Sequence, residues 1–80
     1  MNQVKYIIAS DGSAVVFSAA ISHDTFKHLN PTSAGFVKFF VNDEGKIDCN
    51  CFGDSFSLGI GSQESDTPKV RLQILGRFLS

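Results

Sequence analysis

Cys49 and Cys51 carry the most conspicuous chemistry in the chain, and one residue separates them. Zinc-binding cysteine pairs normally have two or more residues between them, and only His23 and His28 could complete a tetrahedral site. On an extended strand the two Cα atoms lie about 6.6 Å apart, which strains a disulfide. A buried free cysteine behaves as a small apolar residue, so the pattern favours core positions. A thiol or metal site at Cys49 and Cys51 is the alternative.

Ser55 is the serine whose surroundings suggest a nucleophile, because the stretch GDSF at residues 53–56 resembles the GDSL block of a hydrolase family. The resemblance covers three residues, since Phe56 stands where that family has leucine. That family also has a late Asp-x-x-His motif, whereas both histidines of this chain precede Ser55. A serine without a base is not activated, and Gly-Asp-Ser is ordinary turn material. We therefore expect a turn and no catalytic residue.

The stretch GIGS at residues 59–62 precedes a predicted helix and could bind a phosphate, because helix N-termini attract anions. Its spacing matches neither a dinucleotide-binding loop nor a Walker loop, and Glu64 and Asp66 add negative charge nearby. A flexible entry to the helix is the simpler interpretation. The candidate contacts to a phosphorylated or nucleotide ligand are the helix cations Lys69, Arg71 and Arg77.

Size and charge limit the functions open to the chain. Eighty residues make one domain, 1–80, and a core this small gives a marginal monomer that often needs a partner subunit. Seven Lys and Arg against eight Asp and Glu give a net charge of −1, which disfavours nucleic-acid binding. The sequence contains no apolar run of about 20 residues, and residues 1–10 alternate polar and apolar types, so we expect neither a membrane span nor a signal peptide. We expect a soluble, cytoplasmic protein without a cofactor.

The residues from Val4 to Ala19 predict a β-hairpin that turns at Asp11-Gly12, a preferred pair for a two-residue type I′ turn. That turn would pair Ile8 with Val15 and would give the hairpin two faces that both carry apolar residues. A solvated face is normally more polar, so we expect the C-terminal helix or a second subunit to cover the second face.

The residues from Ser33 to Phe52 predict a second hairpin, with a three-residue loop at 43–45 that ends in Gly45. This register pairs Phe39 with Cys49 and gives one apolar face: Val37, Phe39, Val41, Ile47, Cys49 and Cys51. The other face mixes aromatic and polar side chains, which is typical of a binding patch or of a second core layer. We call it the aromatic surface, and it consists of Phe36, Lys38, Phe40, Asp48, Asn50 and Phe52.

Two helices complete the predicted fold. A short one is expected near residues 22–29, with Ser22 as its N-cap and with His23 and His28 on the surface, exposed to solvent or at an interface. The other is expected at about residues 67–78, with Asp66 or Thr67 as its N-cap and Pro68 in its first turn. Its apolar stripe, which should lie on the sheet, is Val70, Leu72, Ile74, Leu75, Phe78 and Leu79. The fold class is α+β: two hairpins in one mainly antiparallel sheet of four or five strands.

The segments SAGFVKFFV and CNCFGDSFSLGIGS resemble a pattern in small proteins of phages, prophages and gut bacteria. Those chains have an SAGF strand, a turn with the pattern C-[YF]-G-x-S-x-SLG, and a short C-terminal helix. They have no assigned activity, so the resemblance transfers no functional residue. It implies a small accessory protein that manipulates a host by binding.

No acid, base and nucleophile converge in the sequence, so we do not expect an enzyme. The sequence favours a non-enzymatic binding module, a homo-oligomer that meets itself or a protein partner through the aromatic surface. An oligomeric binder of a small phosphorylated ligand is the alternative.

Overall fold

Four antiparallel strands form the main sheet of the computed structural model, which describes the backbone of residues 3–79 and the side chains of residues 4–74. In chain order the strands are β1 (Gln3–Ile8), β2 (Ala14–Phe17), β3 (Ser33–Val41) and β4 (Ile47–Phe52). Their order in the sheet is β2-β1-β3-β4, so β1 is central and β2 and β4 are the edges.

A 3₁₀ helix (His23–Leu29) connects β2 to β3, and a two-stranded hairpin of β5 (Asp54–Ser55) and β6 (Ile60–Gly61) follows β4. The chain then enters helix α1 (Asp66–Leu79), which packs on the main sheet. The α+β class, the short helix and the C-terminal helix are confirmed. Among residues 3–79, no helix has the length and apolar character that crossing a membrane requires.

The register predicted for the first hairpin is wrong by one residue. Ile8 pairs with Ala14 rather than with Val15, and the loop has three residues, because the amide of Ala9 donates to the Ser13 carbonyl at 2.8 Å. A type I′ turn would require a positive φ at Asp11 as well as at Gly12, whereas here only Gly12 has one (φ 88°). The Asp11 carboxylate instead accepts the amide and hydroxyl of Ser13.

The register predicted for the second hairpin is confirmed: Phe39 lies opposite Cys49 and Val37 opposite Cys51. Gly45 has the expected positive φ of 77° at the end of the loop. Asn42 fixes the same loop, because its side-chain oxygen accepts the amides of Glu44 and Lys46. Both hairpins therefore turn through three residues that end in a left-handed glycine.

One face of the sheet packs against α1, and we call it the α1 face. Its core is a cluster of fully or almost fully buried side chains: Tyr6, Ile8, Ala14, Val37, Cys49 and Val70. Cys49 belongs to this core as the sequence predicted. Leu72, which the predicted stripe included, is instead 77% exposed, and the side chains of Leu75, Phe78 and Leu79 lie outside the described residues.

The opposite face of the sheet has its own core, formed by Ile7, Ala9, Phe17 and Ala34. Phe26 and Leu29 of the 3₁₀ helix pack on this core from one side, and Leu58 and Ile60 from the β5–β6 hairpin pack on it as well. The expectation that α1 covers this face is therefore wrong, because the 3₁₀ helix and the β5–β6 hairpin pack there instead. An irregular segment and a two-residue strand pair give too little apolar periodicity to be recognised as a covering layer.

Candidate interaction surfaces

The end of the β3–β4 hairpin extends beyond the rest of the sheet. Strand β1 pairs with β3 only as far as Lys38, so the strand residues that follow have no β1 neighbour within the described part of the chain. Phe40 is 42% exposed on one side of this hairpin, and Val41 and Ile47 are 68% and 64% exposed on the other. We call these three residues the hairpin end. Val41 and Ile47 were predicted to be core residues. They lie on the predicted face, but beyond the part of it that the neighbouring strand and helix cover.

The strand alternation directs the six residues of the aromatic surface away from the α1 face. Five of them divide into two environments, and the sixth, Asp48, pairs with Arg71 of α1 at the edge of β4. Phe36 and Phe52 are half-buried and stack with ring centroids 5.9 Å apart. Lys38, Phe40 and Asn50 are exposed. The inner aromatics thus belong to a second core layer, while Phe40 and its polar neighbours remain accessible to a partner.

His23 joins that inner layer and is only 4% exposed, so its predicted position on the surface is wrong. Its ring meets Phe17 and Phe36 edge-on at centroid distances of 5.6 and 5.7 Å. Its Nε2 lies 2.8 Å from the carbonyl oxygen of Gly35. Because a carbonyl can only accept, Nε2 carries the proton and donates it to this bond. His23 therefore fastens the 3₁₀ helix to β3, while His28 is exposed.

Asp48 and Arg71, which the sequence placed in different candidate sites, form an ion pair of 2.7 Å at the edge of β4. Arg71 lowers the pKa of the Asp48 carboxyl by hydrogen bonding to it. The same carboxylate accepts the outward amide of Cys49, and the Thr67 hydroxyl accepts the outward amide of Cys51. Side chains therefore occupy two of the outward amides through which another strand could add to this edge.

Of the two thiols, Cys49 is buried in the core, and Cys51 is partly buried and packs against the same core. Burial raises the pKa of Cys49, and it raises the pKa of Cys51 to about 11 although the Thr67 hydroxyl opposes the shift. Both are therefore neutral near pH 7, whereas metal binding and disulfide exchange use the thiolate. Within the described residues, no three His, Cys, Asp or Glu side chains lie together as a metal site would require.

A buried carboxylate, Asp66, lies at the start of α1 and is 1% exposed. It accepts the Tyr6 hydroxyl at 2.5 Å, the Ser33 hydroxyl at 2.8 Å and the amide of Gln63 at 2.9 Å. Burial, and then the neighbouring carboxylate, raise the pKa of Tyr6. This network joins β1, β3 and α1, and its function is structural because solvent does not reach it.

The candidate phosphate contacts do not converge on the start of α1. A cavity of about 370 Å³ beside it is lined by Asn50, Cys51, Ser62, Gln63, Glu64 and Thr67, without a cation. Arg71 is paired with Asp48, and Lys69 is exposed. The side chain of Arg77 lies outside the described residues. An anion in this cavity would meet the Glu64 carboxylate, which opposes the attraction of the helix N-terminus.

Ser55 is buried and forms part of the β5–β6 turn. Its hydroxyl accepts the amide of Leu58 at 3.3 Å and lies 3.4 Å from the Ser57 hydroxyl. The turn predicted for the GDSF stretch therefore exists. The same turn exposes Phe56 completely, a surface aromatic that the sequence reasoning missed. The only feature of the sequence that indicated this exposure is the position of Phe56 between two serines and near Gly59.

Comparison with known proteins adds no identity, because no protein-family model, curated protein or solved structure shows significant similarity to this chain. Any proposal about function therefore rests on the geometry of the surfaces.

Proposed function

We propose that this protein is a non-enzymatic binding module, a homo-oligomer whose hairpin end contacts a protein partner. The observation that carries the proposal is the exposure of Phe40, Val41 and Ile47 on both sides of a projecting hairpin. Large apolar side chains that are exposed together indicate a contact surface more than scattered ones do.

The surroundings of Phe40 are those of a protein-binding anchor. Lys38 and Asn50 are exposed beside it on the same side of the sheet, so a partially exposed aromatic has a polar rim. Interfaces commonly combine an aromatic anchor that becomes desolvated with a rim that stays wet. The neighbouring turn of the hairpin carries charges of both signs: Asp43, Glu44 and Lys46. It therefore favours neither a strongly acidic nor a strongly basic partner.

The polar groups of the protein favour binding over catalysis. Among the described residues, every fully buried side-chain nitrogen or oxygen has a hydrogen-bond partner. Asp66, His23 and Ser55 each serve a fold contact, and none of them lies with a second reactive group at an open cavity. Binding is also the activity that the resemblance to small phage proteins implies, so we propose a phage-type accessory protein that acts on a host protein.

The test compares Phe40→Asp with the matched change Phe56→Asp, which places the same charge on a more exposed phenylalanine elsewhere. Wild type and both variants are immobilised after circular dichroism has shown that they fold, and bacterial proteins retained by each are identified and then titrated. We expect a partner that binds wild type and Phe56→Asp but binds Phe40→Asp at least about 30-fold more weakly, as for an interface hot spot.

Equal binding of that partner by both variants would contradict the hairpin end as the contact surface. A monomer mass by light scattering at every concentration would contradict the homo-oligomer. A rise in melting temperature with nucleotides that Arg71→Ala abolishes would instead support the phosphorylated-ligand alternative.

A further inference from the structure

The two edges of the main sheet differ in how their backbone groups are satisfied. At β4, Asp48 and Thr67 occupy the outward amides of Cys49 and Cys51. At β2, the bond from the Ala9 amide to the Ser13 carbonyl sets the alternation of the ladder. Val15 and Phe17 therefore bond inward to β1, and Ala14 and Val16 direct their amides and carbonyls outward.

Among the described residues, the β2 edge has none of the devices that protect an edge strand, apart from its short length. Its sequence, AVVF, contains no charge, proline or bulge. No described residue outside the sheet donates to or accepts from the outward groups of Ala14 and Val16. Natural sheets rarely leave such an edge open, because it is a template for a further strand.

An apolar groove runs beside this edge on the α1 face. It has a volume of about 690 Å³ and is lined by Val4, Ala14, Val15, Val16, Phe39, Gln73 and Ile74. Three consecutive β2 residues line it, so the backbone edge itself is accessible from the groove. An added strand would bond to β2 and place side chains over this groove.

We propose that β2 pairs with β2 of a second copy, antiparallel about a two-fold axis that passes through Val15. This identifies the contact in the homo-oligomer of the proposed function and rests on that proposal. Ala14 of each copy lies opposite Val16 of the other, and each such pair exchanges two hydrogen bonds. The result is one sheet of eight strands with both α1 helices on the same face and the two grooves adjacent.

A second copy fits this edge because β2 is complementary to itself. A two-fold contact requires that one patch matches its own image, and the outward residues are spaced symmetrically around Val15. The strand is uncharged, so no like charges meet in the ladder. Val15 meets its own copy on one face, and Val16 meets the small Ala14 on the other, so bulky and small side chains alternate.

The decisive measurement is amide hydrogen exchange by NMR over a range of protein concentrations, with the mass measured by light scattering. We expect twice the chain mass at high concentration, with the amides of Ala14 and Val16 gaining protection as the dimer forms. The amides of Cys49 and Cys51 are the internal control, because side chains of the same copy already accept them.

The matching variant is Val16→Pro, which removes an outward amide that the ladder within one copy does not use. We expect it to fold and to remain at the mass of one chain, while Phe40→Asp remains a dimer. A wild-type monomer at all concentrations, unprotected Ala14 and Val16 amides in a dimer, or a folded Val16→Pro dimer would each overturn the proposal. If Val16→Pro does not fold, the wild-type exchange pattern decides. If the β2 dimer fails these tests, partner binding that Phe40→Asp removes would still support the hairpin end as the contact surface. The two proposals can therefore fail separately.

Discussion

Replacing Tyr6 by phenylalanine removes one of the three donors to the buried Asp66 carboxylate and leaves the ring in the core. A hydrogen bond to a charged group contributes about 1.5–3 kcal/mol, and we expect a loss of stability of that size at pH 7. The cavity that results is no larger than one oxygen atom, so lost packing adds little. Urea unfolding followed by circular dichroism measures the change.

The same substitution should change how stability depends on pH. Burial and Asp66 raise the pKa of Tyr6 above its ordinary value of 10.0, so the unfolded chain loses the phenol proton first. The neutral phenol therefore stabilises the fold fully below about pH 10, and this contribution falls by about 1.4 kcal/mol for each pH unit above it. Tyr6→Phe removes that part of the slope and leaves the part due to the two thiols.

Ser33→Ala is the control, because it removes another donor to Asp66 that does not ionise in this range. It should lower stability by about 1–3 kcal/mol and leave the alkaline slope as in wild type. Tyr6 is the only tyrosine of the chain, so tyrosinate absorbance reports on it alone. A folded protein whose tyrosine titrates near pH 10 would refute the reasoning, since its hydroxyl would then be in contact with water.

Two further substitutions test the packing of the sheet and the state of the thiols. Gly35→Ala should destabilise the fold by about 3 kcal/mol in urea unfolding, because a Cβ there overlaps the carbonyl oxygen of Phe52, whereas Gly12→Ala meets no atom and costs about 1–2 kcal/mol through its positive φ alone. Equal losses would contradict the close approach. In the Cys51→Ser variant, a thiol reagent should modify Cys49, which is 1% exposed, at pH 7 only about as fast as the protein opens. Reaction of Cys49 at the rate of a free thiol would contradict its burial.

The second hairpin could be predicted from sequence and the first could not, for a reason visible in their residues. From Val37 to Cys51, apolar and polar side chains alternate along both strands except at Phe40, so one register separates most of them. In the first hairpin both registers place apolar residues on both faces, because the strands are covered on both faces. These residues are Ala9, Ala14, Val15 and Val16. The pattern there cannot distinguish registers, and Asp11-Gly12 suits either turn.

The exposure of the side chains at the hairpin end could not be predicted from the sequence, for a different reason. Alternation gives the face on which Val41 and Ile47 lie, but not how far the neighbouring strand and helix extend over it. The burial of His23 and Asp66 depends on partners that are distant in sequence, such as Gly35 for His23 and Tyr6 for Asp66. Local patterns carry no information on such contacts, so a polar residue that is buried by them is predicted to be exposed.

The central position of β1 sets the order in which a growing chain can fold. Residues 3–8 are synthesised before residues 33–38, which are their second neighbour in the sheet, and the carboxylate that accepts the Tyr6 hydroxyl lies 60 residues further along the chain. The first hairpin can form early but keeps both faces and one edge uncovered until nearly the whole chain has been synthesised. Folding is therefore a single late event, and a fragment that lacks α1 should be a substrate for proteases and chaperones rather than a smaller working domain.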